Sequence, residues 1–443
     1  MRRLRVALCS LVLWAASAAQ AWSGHTLCSW QALAPLAELQ GVQVPAETLE
    51  QFITTTAPRL EVLLREHEGW ARQSLADYPA RPDDLAFKAV AAGPPVPRFL
   101  QALRLNGESR LKLFVQLRPG QARADQSRMP WVDISALRSG SAARENTFVQ
   151  MEPGDTVAAL DVLATASSEP DYGLDIGLFT DNGTAQGARY GFGKQPYGSP
   201  AVDYSSQAPF HMGFFHEAGI VNLVAPFIRR GHPESRIALF SALAREAFAS
   251  GHAYWGWRFT GWALHYVQDL TQPYHARALP GVGAARMLWM YALAMAGRPA
   301  TRDDAITLVT NRHIVLEGYQ FARMSRAYER GDLNDALLAA LRDASIDRGH
   351  WLYAGGDARS RVSAEAAANA DQLDGQLARS FPARLVADAA QPLGNDASSI
   401  DMQAAAREMP ATEQAAFERE LITLMQRLGQ HTRALVRAVL APR

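Results

Sequence analysis

Three metal-ligating side chains crowd residues 264–275, and no other feature constrains the fold as much. His265 and Asp269 stand four apart, so a helix places them about one turn from each other on the same face. Pro273 ends such a helix, and His275 follows on the loop beyond it, free to turn back. Imidazole, carboxylate and imidazole form a ligand set that suits zinc. A chain that completes this set must bring further ligands from distant segments to one helix face.

The pattern along the chain predicts an all-α fold. Apolar residues fall at helical spacing over residues 44–67 and through a long run over 214–270, which is punctuated near Gly231, His232 and Pro233 and again at Gly251. Further helices are expected over 284–296, 303–329, 333–343 and 412–440, and their alanine content favours helix as well. Residues 78–98 are rich in proline and read as a crossing segment, and residues 183–207, dense in Gly, Tyr, Ser and Pro, read as a long irregular loop. Loops of that length inside compact domains more often serve function. Residues 110–117 have the make-up of a strand, with no sheet-forming pattern around them. One domain is expected over residues 22–443, with residues 40–150 as an insertion of uncertain fold.

The first residues predict export. Arg2, Arg3 and Arg5 precede an apolar run over 6–19, which closes on Ala19, Gln20 and Ala21, a small-x-small cleavage signal. The run is too short for a stable membrane span, so a signal peptide over 1–21 and a periplasmic or extracellular destination are expected. Cys28 is then the one remaining cysteine and rules out an intramolecular disulfide, while bound metal can supply cross-linking instead. Lysine plus arginine equal aspartate plus glutamate at 44 each, so no basic surplus points to charge-driven nucleic-acid binding.

Other ligands can be collected. His313 and Glu317 repeat the imidazole–carboxylate pair four apart. Upstream, His211 and His216 stand at a loop-to-helix junction, and the acidic turn over 168–175 offers Asp171 and Asp175. Cleavage after Ala21 makes Trp22 the mature terminus, whose amine and carbonyl can ligate a metal together with nearby His25. Each element also has an ordinary reading. A single His–acid pair on a helix is commonly a surface ion pair. His216 and His252 suit core or capping positions, and Trp255, Trp257 and Trp262 suit core packing. His67, His232, His350 and His431 lack ligand-like company.

Taken together, Trp22 with His25, then His265, Asp269 and His275, then His313 and Glu317 resemble one superfamily: exported, all-helical hydrolases with three zinc ions. It includes bacterial zinc-dependent phospholipase C and the single-strand-specific nucleases. The likeness is clearest and continuous over residues 261–317. It implies a multi-helix bundle of the zinc phospholipase C/nuclease type with long irregular loops. It implies that Trp22 and His25 hold one zinc, and that Asp269 bridges it to a second held by His265 and His211, here preferred over His216. His275, His313 and Glu317 would hold the third. Asp171, preferred over Asp175, would serve as ligand or base. The long segment over 40–150 and the long gap from Asp171 to His211 depart from the family's pattern. Zinc lowers the pKa of a bound water from 15.7 toward about 7, so hydrolysis of a phosphate ester needs no Ser or Cys nucleophile. Glu317 at the last position resembles the phospholipase branch, which implies a phospholipid, met at a membrane surface, or other phosphate ester as substrate; the nuclease branch tends to place Asp there. The alternatives are a single-strand nuclease or nucleotidase, and a non-catalytic, zinc-stabilised secreted protein that binds a partner through residues 183–207.

Overall fold

The structure, a computed structural model, describes residues 24–121, 127–137, 146–198, 204–347, 351–393 and 400–442. It is a multi-helix fold with two short antiparallel ribbons. In chain order the elements that matter here begin with α1 (His25–Leu33), β1 (Gln43–Pro45), α2 (Leu49–Ser74) and α3 (Pro95–Leu103). Then come β2 (Phe114–Leu117), β3 (Thr147–Gln150), β4 (Thr156–Ala158) and α4 (Ala159–Ala166). The second half is helical throughout: α5 (Ala208–His211), α6 (Pro233–Ala249), α7 (Ala253–Leu270), α8 (Pro273–Ala276) and α9 (Ala284–Met295). It continues with α10 (Ala300–Glu329), α11 (Ala336–Arg342), α12 (Ala364–Ser380) and α13 (Ala411–Leu440).

The axis of the molecule is α7, buried along its whole length from Tyr254 to Leu270. This helix, buried on all sides, is surrounded by α4, α6 and α13 and buries Arg258, His265, Gln268 and Asp269 among its apolar residues. Trp255 and Trp262 are fully buried and Trp257 nearly so, with Phe259 and Trp262 meeting edge to face at 5.2 Å between ring centroids. At Gly261 the approach of α4 leaves no room for a side chain. A Cβ there would stand 2.5 Å from Ala166 Cβ and 2.6 Å from the Leu163 carbonyl oxygen, so only glycine lets the two backbones close.

The long run over 214–270 is broken near the expected places. Pro233 is the first residue of α6, where its missing N–H costs nothing, and Gly251 separates α6 from α7. The proline-rich stretch over 78–98 is not all crossing segment. Pro95 starts α3, because a proline at the first helical position is pre-set for helix. The strand expected within 110–117 is present as β2 and pairs with β3, Gln116 opposite Phe148. A second ribbon joins β1 to β4, Val44 opposite Val157. Sheet pairing was missed because its partners lie tens of residues apart and local alternation does not reveal them.

Residues 43–113 share the main core, whereas Phe114, Met129, Ile134 and Phe148 form a small separate cluster with Tyr172. A capping box between Thr48 and Gln51 starts α2, and its apolar face brings Phe52 against Trp255 and Phe259 at ring separations of 6.1 and 5.6 Å. Among the described residues no helix is long and apolar enough to cross a membrane. The expected signal peptide and Trp22 lie outside the described residues.

Candidate metal centre

Six elements converge on one buried cluster. All nine residues of α1 are buried, and His25 is its first residue. Gly24 precedes it with φ of +79°, where a Cβ would meet the Phe321 ring at 2.8 Å. Both the left-handed backbone and the close ring require glycine at that point. His265 and Asp269 come from α7, one turn apart as the spacing predicts, and His211 closes α5. His275 stands on a one-turn helix that Pro273 begins, rather than on an open loop. His313 and Glu317 face inward from α10. Asp171 lies on the 3₁₀ turn Glu169–Tyr172.

The ligand atoms gather in three sets: His25, His265 and Asp269; Asp171, His211 and His265; and His275, His313 and Glu317. Within each set they lie within 4.8 Å of one another. Asp269 is central. Its Oδ1 is 3.3 Å from His25 Nε2, and its Oδ2 is 2.9 Å from His211 Nδ1 and 3.2 Å from His265 Nε2. Asp171 stands further out, 3.8 Å from both His211 Nδ1 and His265 Nε2. The third set joins the first through His275, whose ring meets that of His313 at 5.0 Å and whose Nδ1 is 3.9 Å from Asp269 Oδ1. His313 Nε2 is 2.7 Å from Glu317 Oε1.

Hydrogen bonds around the cluster decide which ring nitrogen each histidine offers. The carbonyl of Ser167 can only accept, so His265 Nδ1–H donates to it at 2.8 Å, which leaves Nε2 facing the cluster, 2.9 Å from His211 Nδ1. The His211 carbonyl does the same for His275 Nδ1 at 3.0 Å. Gln268 does it for His25. Its amide nitrogen donates to Ser29 Oγ and Thr432 Oγ1, so its Oε1 accepts from His25 Nδ1 at 2.8 Å. This is the outer support that orients metal-binding imidazoles. Within the cluster, His25 Nε2, His211 Nε2, His275 Nε2 and both carboxylate oxygens of Asp269 are buried without a hydrogen-bond partner. Buried polar groups are rarely orphaned, and here two of the orphans, His25 Nε2 and Asp269 Oδ1, face each other at 3.3 Å. Such clusters can hold a metal ion.

Protonation follows from burial and from the carboxylates. Burial disfavours the His265 imidazolium, but facing Asp269 and Asp171 outweigh it and raise the ring to about 9. Asp269 is held well below the usual carboxylate range: burial works to raise it, and the His265 charge with contacts from His211 and His25 overcomes this. Burial pushes His275 down to about 4, drives His313 well below its ordinary value and lifts Glu317 well above the carboxylate range.

The two upstream choices separate in space. His211 is in the cluster, whereas His216 is half-buried elsewhere with Nε2 on the Arg359 carbonyl at 3.0 Å. Asp171 belongs to a ligand set, whereas Asp175 is taken by Arg236 and Tyr266, each at 2.6 Å. Asp175 Oδ2 faces His211 Nε2 at 3.7 Å from behind. His252 precedes α7 without a side-chain capping bond and pairs with Glu47, His232 packs among Phe179, Phe192 and Phe210, and His431 pairs with Glu365. His350 and residues 199–203 of the long loop lie outside the described residues.

Sequence reading overlooked Gln268, Gln272 and Glu169. Gln272 Nε2 donates to Glu317 Oε1 at 3.0 Å. Glu169 is buried and held by Arg258 at 2.8 Å and by Trp262 Nε1 at 2.5 Å, which ties the turn carrying Asp171 to α7. The one available signal was position: Gln268 and Gln272 flank Asp269 within the ligand-rich segment. Comparison with models of known families, with curated proteins and with solved structures found no match to this chain.

Proposed function

We propose that this protein is an exported zinc-dependent phosphoesterase that hydrolyses a phosphate ester in the manner of a phospholipase C. The observation that carries the proposal is Asp269, fully buried, with neither oxygen hydrogen-bonded and ring nitrogens of three histidines around it. A carboxylate in that setting fits a bridge between two cations. Mixed nitrogen and oxygen donors of this kind suit zinc. His25 and Asp269, with the Trp22 terminus, would hold one ion; Asp269, His211 and His265 a second; His275, His313 and Glu317 a third. Zinc supplies a Lewis acid that makes water nucleophilic at neutral pH and offsets charge on phosphoryl oxygens. Asp171 has the most exposed side chain of the eight described ligand candidates, at 14%. Substrate would therefore arrive on its side, and its carboxylate would orient the attacking water and take its proton. Glu317 at the last ligand position favours the phospholipase branch over a single-strand nuclease or nucleotidase.

One observation favours a second reading. The remaining seven side chains are at most 4% exposed, and structural zinc sites are closed where catalytic ones keep an open position. That would make the chain a zinc-stabilised secreted binding protein. Correctly processed protein should contain close to three zinc ions. It should also cleave a chromogenic phosphocholine ester, lose that activity to a chelator and regain it with zinc. One ion or none would sink the three-metal reading. Full zinc with no turnover of the phosphocholine ester, single-stranded DNA or nucleoside monophosphates would leave the binding reading.

A further inference from the structure

A cavity of about 840 Å³ opens between α2, α6 and the segment over 353–358. None of its lining residues is a candidate metal ligand. Its volume lies within the roughly 300–1,000 Å³ of small-molecule sites and is too small for a folded partner. The walls are apolar, with Val62, Leu63, Leu75, Ile237 and Leu435 among them, and Trp70 stands half-exposed beside them. Two polar atoms of this lining are buried without a hydrogen-bond partner. Ser241 is 6% exposed, yet its Oγ has no hydrogen-bond partner. A serine inside a helix commonly bonds the carbonyl one turn back, and this one, on α6, does not. Nε2 of His67 is likewise buried and unpartnered, although His67 also borders a smaller cavity behind. The cations nearby are engaged: Arg59 contacts Glu246 at 3.4 Å and Ser250 Oγ at 3.1 Å, and Arg245 donates to the Ala438 carbonyl at 2.9 Å.

We infer that this cavity is a second binding site, for a neutral molecule with a long apolar tail and one hydroxyl oxygen, the class of long-chain alcohols. The tail lies along the aliphatic wall, and the oxygen pairs with Ser241 Oγ and the neutral His67 ring. Burial pushes that ring down to about 4, so it stands ready to share one hydrogen bond and carries no charge to attract an acid. A fatty carboxylate would find acidic Glu66, Glu234 and Glu246 around the cavity and no free cation.

Titration of the intact protein with decanol, followed by tryptophan fluorescence and calorimetry, tests this. One saturable site per chain is expected, with decanoate weaker. Ser241→Ala should weaken decanol roughly two- to tenfold, the worth of one hydrogen bond. Ala242→Trp, which fills the cavity, should abolish binding while circular dichroism and zinc content stay as in the native protein. Absence of saturable binding, decanoate binding as tight as decanol, or a Ser241→Ala protein that binds decanol unchanged would each overturn the assignment. Because the readout is binding and not turnover, the site stands or falls apart from the phosphoesterase reading.

Discussion

A fully buried carboxylate with two unpaired oxygens costs several kcal/mol unless a positive charge offsets it. In the metal-free cluster that charge is a proton: Asp269 stays ionised because His265 holds one up to about 9. Zinc needs the same Nε2 lone pair and must expel the proton. The direction of the pH dependence follows. Below about pH 9 the ring is charged in the folded protein without metal, so zinc affinity should climb with pH up to that point and level off above it. Glu317, raised by burial, adds a second proton to be displaced, whereas His275 and His313 are already neutral. Calorimetry at pH 7 in buffers of different ionisation heat should therefore register at least one proton released per protein, and Asp269→Asn should bind less zinc with a flatter profile. Buffer-independent heats would contradict the account. The pairs His265–Asp269 and His313–Glu317 were legible because spacing of four is a property of the helix itself. Gln268 was not legible: its role depends on His25, 243 residues away, and on the way its amide is turned by Ser29 and Thr432.

Helices disclosed themselves where punctuation and period agreed, as at Pro233 and Gly251, and hid where the pattern was short or proline-led, as in α3. Nothing local marks Gly261, yet α7 can reach α4 only there. Gly261→Ala should lower stability by about 1–3 kcal/mol, the cost of overpacking, because its new methyl meets backbone as well as a side chain. Gly69, inside α2 with nothing within 4 Å of its would-be Cβ, supplies the contrast. There alanine should stabilise by up to about 1 kcal/mol through helix propensity. Denaturant midpoints read both; equal shifts in the two variants would refute the close-approach argument.

At the scale of the molecule, distant parts of the chain lock the centre. Arg433, wholly buried on α13, donates to the carbonyls of Ala32 at 3.1 Å and Leu341 at 2.8 Å and pairs with Asp347 at 2.7 Å. It thereby holds the ends of α1 and α11 together. Thr432 beside it accepts from Gln268, which in turn aims His25. Removing α13 should free α1 and cost the protein its His25 ligand. Metal content should then fall even though every ligand residue remains, and a shortened protein with full zinc would disprove the coupling. That residues 43–113 pack into this same core could not be read from the sequence, since Phe52 meets Trp255 only after some two hundred residues of chain have folded back.

The Arg433–Ala32 bond spans 401 positions of chain, and this bears on timing. During synthesis α1 leaves the ribosome long before α13 exists, so the surroundings that seat His25 are missing until the chain is nearly complete. Contacts of such separation form late and slowly. The nascent protein thus has no finished cage in which to trap whatever cation is abundant where it is made. Metal held by the completed cage would therefore be acquired only at the last stage of folding.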